Sequence, residues 1–308
     1  MRLQDVQMLS PRVRQLTLVS DDRSSLPSFS AGSHISLRLE TRKGVLTNSY
    51  SLIGSQDRKR SWQIAVQLAE NSRGGSRFLH ELEPVSARIL SSLPENSFPL
   101  FRTARRHVFI AGGIGITPFL TFIQDVGNVP WELHYAVRSR NQAPFCEQLG
   151  NSCPQNVKIY ASDENRRLNL TRVFENQPLG THVYVCGSER LISCAMSTAR
   201  TLGWPERYVH VEYFASIAGG EPFDVELARS GRTIHIDSGV SLLEGLEAAG
   251  IDVNYGCRGG ACGACETVVL SGTPHHRDHY LSEEIRKTGK AIMPCVSRSL
   301  SARLVLDL

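Results

Sequence analysis

The stretch YGCRGGACGACE, Tyr255 to Glu266, places cysteines at Cys257, Cys262 and Cys265, and a fourth, Cys295, follows 30 positions after the last of them. This Cys-x4-Cys-x2-Cys…Cys spacing is that of a plant-type [2Fe–2S] centre. Three thiolates must converge from one tight loop. Gly256, Gly259, Gly260 and Gly263 leave backbone N–H groups free to approach the sulfurs. The competing assignment is a structural zinc, which favours paired Cys-x2-Cys knuckles or Cys/His mixtures. Only one such pair is present here. The remaining cysteines, Cys146, Cys153, Cys186 and Cys194, form no second cluster pattern. His275, His276 and His279 read as a solvated loop beside a ligand set that is already complete.

Outward from this loop, residues 223–308 carry strand-like FDVELAR and RTIHID, helical SLLEGLEAAG, and strand-like ETVVLSG and RLVLDL. That is a small α+β unit. A short linker, SIAGGEP (Ser216 to Pro222), precedes it. In residues 103–215 strands and helices alternate: HVFIAG, TPFLTFIQDV, WELHYAV, VKIYAS, HVYVCG, SERLISCAMSTARTLG. Strand–crossover–strand order predicts a parallel α/β sheet. Residues 1–102 hold short alternating stretches (VRQLTLVS, HISLRLE, SYSLIG, WQIAVQLA, ARILSSL) between turn-rich pieces, with one helical patch at Ser76 to Leu82. This pattern predicts an antiparallel barrel or sandwich.

The 308 residues suit two or three domains, and 41% hydrophobic with 21% charged residues is ordinary for a globular protein. A net charge of +4, with no basic run interleaved with aromatics, argues against nucleic-acid binding. No segment matches a signal peptide or membrane span, so a cytoplasmic location is expected. A reducing compartment favours redox or metal roles for the eight cysteines over disulfides.

Two glycine turns carry further signals. HVFIAG runs into Gly112, Gly113 and Gly115 and then a helix, and the VCGS turn (Val185 to Ser188) ends another strand. Both should lie at the carboxyl edge of a parallel sheet, where ligands bind. The first turn departs from the G-x-G-x-x-G dinucleotide fingerprint. In the first region, SYSL (Ser49 to Leu52) lies in a strand. SRGGSR (Ser72 to Arg77) reads either as a phosphate cradle or as a plain turn, and Tyr50 either as a platform for a flat ring or as barrel core.

Taken together, NSYSLIG, SRGGS, LPENSFPL, AGGIGITP, VCGS, VEYF and the cysteine tail ending in CVSRSL resemble the phthalate dioxygenase reductase family, which includes vanillate O-demethylase reductase subunits. The resemblance covers nearly the whole chain. It implies a flavin-binding antiparallel barrel, a parallel α/β NAD-binding domain and a C-terminal β-grasp ferredoxin. It implies FMN held by Asn48, Ser49, Tyr50, Ser51, Arg73, Gly74, Gly75 and Ser76. Gly112, Gly113, Gly115 and Thr117 then lie where the nicotinamide meets the flavin, with Cys186, Gly187 and Phe214 on the pyridine-nucleotide side and Thr117 and Cys186 nearest the chemistry. The cluster ligands are Cys257, Cys262, Cys265 and Cys295. The family usually has arginine at Asn48, which shifts the phosphate load to Arg73 or Arg77, and C-G-P where this chain has Cys186-Gly187-Ser188.

The implied function is the monomeric reductase of a two-component Rieske non-haem iron oxygenase, passing electrons from NADH through FMN and [2Fe–2S]. Arg138, Ser139 and Arg140 offer a site for a 2′-phosphate and keep NADPH as the rival nucleotide. Other readings are an FAD hydroxylase reductase, a stand-alone NADH diaphorase and a flavin-free redox sensor.

Overall fold

The computed structural model describes all residues except 23, 42–43, 56–59, 71–72, 85–87, 176 and 215–218. Part of the linker (216–218) and Ser72 of the SRGGSR stretch therefore lie outside the described residues. The chain divides into two compact units, Met1–Phe214 and Ala215–Leu308.

In the first unit the alternating stretches form β1 (Arg2–Ser10), β2 (Val13–Val19), β3 (His34–Thr41), β4 (Gly44–Ile53), β5 (Trp62–Gln67) and β6 (Leu90–Ser91), with α1 (Gly75–Glu81) after β5. Their order is β1-β2-β5-β4-β3-β6, all antiparallel. An Arg2–Arg88 bridge and a hydrogen bond from the Ile89 N–H to the Met1 carbonyl return the last edge to the first, closing the sheet into a barrel. Closure removes the exposed edge that an open sheet of this size would present. ARILSSL, expected as a full strand, contributes only the two residues of β6.

The alternating region follows as β7 (Arg106–Gly112), α2 (Thr117–Asp125), β8 (Trp131–Val137), α3 (Cys146–Ser152), β9 (Val157–Ala161), α4 (Leu170–Phe174), β10 (Thr181–Gly187), α5 (Glu189–Thr201) and β11 (Val209–Tyr213). The sheet is parallel, ordered β11-β10-β7-β8-β9. The strand order reverses between β7 and β10. In such sheets the ligand crevice opens there, beyond the carboxyl ends of the strands. The helix α3 and strand β11 carry no strong sequence signal. α3 starts after Phe145, whose backbone is left-handed (φ 63).

Barrel and parallel sheet share one core. Val13, Ala31, Ile53, Ala65 and Phe98 from the barrel side pack with Phe109, Ile116, Phe119, Phe122 and Tyr184. The Phe98 ring stacks on Phe122 (centroids 5.4 Å) and meets Tyr184 edge-on (5.5 Å). Such aromatic pairs contribute ~0.5–1.5 kcal/mol beyond the area they bury. Gly32 makes the approach possible: at φ 85, a Cβ there would lie 2.8 Å from the Phe122 ring and against the Phe98 carbonyl. The barrel and the α/β layer are therefore fixed to one another.

The second unit contains β12 (Phe223–Leu227), β13 (Arg232–Ile236), α6 (Leu242–Ala248), β14 (Thr267–Ser271), β15 (Pro274–His275), α7 (Glu283–Thr288), β16 (Ala291–Ile292), β17 (Arg298–Ser299) and β18 (Arg303–Leu306). A five-stranded sheet, β13-β12-β18-β14-β16, packs α6 through Leu242, Leu243 and Leu246. A Ser241–Glu244 capping box starts α6, satisfying N–H groups that the helix itself cannot. The cysteine loop fills the long connection between α6 and β14. No described helix is long and apolar enough to cross a membrane.

Candidate redox sites

In the first unit, the two glycine turns meet at the strand-order reversal. Gly112 ends β7, and a 3-10 turn (Gly113–Ile116) leads into α2. A Cβ on Gly187 would lie 3.0 Å from the Gly112 Cα. One on Gly115 would lie 2.5 Å from the Cys186 carbonyl carbon and 2.7 Å from the Gly187 nitrogen. Only glycines permit this apposition. Gly113, at φ 55, faces open space. That leaves a backbone ledge to which a flat ligand can come close.

The remaining crevice residues differ in accessibility. Thr117 is buried, and its hydroxyl donates to the Ile114 carbonyl at 3.0 Å, which fixes the turn. Cys186 is fully buried, and burial pushes its thiol well above the ordinary range. It pairs across β10–β11 with Glu212. Burial raises the Glu212 carboxyl to about 8, and its Oε2 has no hydrogen-bond partner among the described residues. Sequence reasoning passed over Glu212, although it stands two positions before Phe214 in VEYF. Phe214 follows β11 and is 41% exposed. Arg140, considered above for a 2′-phosphate, is paired with Glu164 at 2.8 Å.

The barrel motif is brought together as well. Along β4, Asn48 and Tyr50 share one face and Ser49 and Ser51 the other. Asn48 Nδ2 donates to Tyr50 Oη at 3.1 Å. It also reaches the glycine turn: a Cβ on Gly75 would lie 3.3 Å from Asn48 Cγ. Gly74 adopts φ 128 at the start of α1. Ser76 Oγ accepts from the Ala69 N–H at 3.2 Å, and Arg73 lies half-buried at the same turn. Ser49 hydrogen-bonds Ser36 across the strands at 3.0 Å. Ser51 Oγ is buried with no hydrogen-bond partner among the described residues. Tyr50 packs against the barrel core on the Asn48 face, so the glycine turn beside it and, on the other face of β4, the unsatisfied Ser51 hydroxyl are what the strand offers the phosphate and polar edge of a flavin.

In the second unit, the thiols pair two by two. Cys265 Sγ and Cys295 Sγ are 3.3 Å apart, and the Cys257 N–H donates to Cys262 Sγ at 3.3 Å. Within each pair the contact with the partner thiol is the largest influence and splits the two groups. Cys262 falls to about 5 and Cys265 also falls, while Cys257 and Cys295 rise. Gly259 and Ala261 N–H groups donate to Cys257 Sγ at 3.3 and 3.4 Å. A single zinc would need the donors to converge on one point. Among the described residues, no three His, Cys, Asp or Glu side chains do so. Two pairs suit a centre of two metal atoms with two thiolates each.

The loop is held from outside. Arg258 adopts a left-handed backbone (φ 50). Its guanidinium forks onto the Glu247 carboxylate of α6 and lies 3.9 Å from the Tyr255 ring centroid. Such a conformation costs a non-glycine residue about 1–2 kcal/mol, which the ion pair and the stacking offset. The histidine loop departs from expectation. His279 is exposed, but the His276 side chain is only 12% exposed and lies 3.6 Å from a fully buried Asp278. Burying a carboxylate needs several partners from distant segments, and spacing in the sequence does not reveal them.

Residues 87–209 match the dimethylamine monooxygenase subunit DmmA-like N-terminal domain, and residues 225–300 the 2Fe-2S iron-sulfur cluster binding domain. The chain is 41% identical to the heme-dependent oxidative N-demethylase beta subunit of Ectopseudomonas mendocina (strain ymp), over 100% of this chain and 98% of the relative. It is 39% identical to the carnitine monooxygenase reductase subunit of Escherichia coli (strain K12), over 100% and 97%. Among solved structures it is similar to phthalate dioxygenase reductase, described as a modular structure for electron transfer from pyridine nucleotides to [2Fe-2S] (33% identity, TM-score 0.85, 100% of this chain and 97% of that one). With a closed antiparallel barrel, a parallel sheet carrying a glycine-lined crevice and a cysteine loop of paired thiols, the chain belongs to the phthalate dioxygenase reductase family of electron-transfer oxidoreductases.

Proposed function

We propose that this chain is the reductase component of a two-component oxygenase, taking electrons from NADH through FMN and a [2Fe–2S] cluster to a Rieske non-haem iron partner. The observation that carries the reading is the two-by-two pairing of Cys257 with Cys262 and Cys265 with Cys295. These four are the cluster ligands. When bound, the flavin supplies hydride acceptance and the cluster supplies one-electron transfer. The chain's own residues bind and orient. Tyr50 and Ser51 contact the flavin ring, and Gly74, Gly75, Ser76 and Arg73 hold its phosphate beside Asn48. The ledge of Gly112, Gly113 and Gly115 seats the nicotinamide against the turn of Cys186 and Gly187, Thr117 keeps that ledge in shape, and Phe214 covers the ring. The protein acts as a cytoplasmic monomer.

Flavin released by acid from the purified protein should chromatograph as FMN, and recovery of FAD would overturn that assignment. Cluster reduction should run faster with NADH than with NADPH. A second reading, a haem-dependent oxygenase as partner, is favoured by the relative at 41% identity, which is the beta subunit of a heme-dependent oxidative N-demethylase. Reconstituting electron transfer to a Rieske oxygenase and to a haem N-demethylase, side by side, separates the two.

A further inference from the structure

The two thiol pairs come from stretches far apart in the chain, and something must hold those stretches in register. Asp278 stands where they meet. Its side chain is fully buried. Oδ1 accepts from Ser297 Oγ at 3.1 Å, two residues past Cys295. Oδ2 accepts from the Leu281 N–H at 2.9 Å and lies 3.4 Å from Arg286 Nη2. Ser297 Oγ in turn accepts from the Arg277 N–H at 3.1 Å. On the other side, the His279 N–H donates to the Gly260 carbonyl at 2.9 Å, two residues before Cys262. Gly260 is wedged in place: at φ 73, a Cβ there would lie 2.6 Å from Val296 and 3.0 Å from the Asp278 Cα. Three segments therefore touch at one point, and Asp278 supplies the buried acceptor that ties them.

We propose that Asp278 is a positioning residue for the cluster, tying the Cys295 segment to the Cys257–Cys265 loop and keeping a fixed negative charge beside the cluster. This rests on the assignment of the four cysteines as ligands. The potential of an iron–sulfur centre depends on nearby charge and on hydrogen bonds around it. Reduction adds negative charge, so a buried carboxylate nearby opposes it. Partners outside the ligand shell typically alter metal retention by about 10–100-fold.

The test uses the full-length holoprotein. Wild type, Asp278→Asn and Ser297→Ala are compared by rate of cluster bleaching with a chelator, by EPR of the reduced cluster and by potentiometric titration. Asp278→Asn keeps the shape and removes the charge. Its cluster should bleach about tenfold faster, with a midpoint potential above that of wild type. Ser297→Ala keeps the charge and removes the tie, so it should bleach faster at an unchanged potential. An Asp278→Asn protein with the wild-type bleaching rate or the wild-type potential overturns the proposal, as does a Ser297→Ala protein that bleaches like wild type. Wild type lacking any cluster spectrum would refute the ligand assignment instead.

Discussion

Replacing Gly115 by alanine adds one methyl group at the point where the two crevice turns meet. The Gly115 backbone lies in a 3-10 turn and its φ is outside the left-handed range, so alanine brings no conformational penalty. The whole effect is steric. The new Cβ would lie 2.5 Å from the Cys186 carbonyl carbon and 2.7 Å from the Gly187 nitrogen. These are backbone atoms of β10, and they cannot rotate away as a side chain would. Overpacking of this kind costs about 1–3 kcal/mol. To relieve it, the turn proposed to seat the nicotinamide must separate from its neighbour by a substantial fraction of an ångström. Misplacement of about 1 Å at a reacting centre can cost about 100-fold in rate. Anaerobic stopped-flow measurement of NADH-driven flavin reduction should therefore show a loss of about 10–100-fold for Gly115→Ala. The cluster, held in the other unit, should keep its wild-type EPR signal after dithionite reduction. A variant that melts with wild type and reduces its flavin at the wild-type rate would refute this account of the crevice.

Two further outcomes follow from the electrostatics and the backbone. Burial raises Glu212 to about 8 from an ordinary 4.5, so the folded state retains a proton that the unfolded chain releases between those values, and stability falls as pH rises through that window. Glu212→Gln should show no gain over wild type at about pH 4.5 and a clear gain at about pH 8.5 in urea unfolding; a gain of equal size at both would contradict the assignment. At Arg258, alanine and glycine both delete the Glu247 pair, but only glycine adopts φ 50 freely. Arg258→Gly should therefore unfold at higher denaturant than Arg258→Ala, by about 1 kcal/mol, and the reverse order would show that strain is not stored at this position.

The sequence made legible the features that depend on local spacing. Alternation marked the barrel strands, the β7-to-α2 glycine turn marked the crevice, and Cys257 to Cys265 marked the cluster loop. What it concealed depends on contacts between distant segments. Phe98 gives no sign in the sequence that it joins the barrel to Phe122 and Tyr184. His276 reads as solvated because the carboxylate that it packs against is buried by Ser297, Leu281 and Arg286, all of them later in the chain. Glu212 sits in an ordinary strand pattern, and only the pairing of β10 with β11 places it against Cys186. Arg258 resembles any loop arginine until its left-handed backbone and the Glu247 fork are seen.

The central claim is that electrons entering from NADH leave through the cluster held by Cys257, Cys262, Cys265 and Cys295. Cys295→Ala removes one member of the 3.3 Å Cys265–Cys295 pair, in the second compact unit and apart from the proposed flavin and nucleotide sites of the first. In a full-length Cys295→Ala protein, NADH should still bleach the flavin at the wild-type rate, while electron delivery to the oxygenase component, followed as product formed per NADH consumed, should be lost. Delivery at the wild-type rate from that variant would contradict the claim directly.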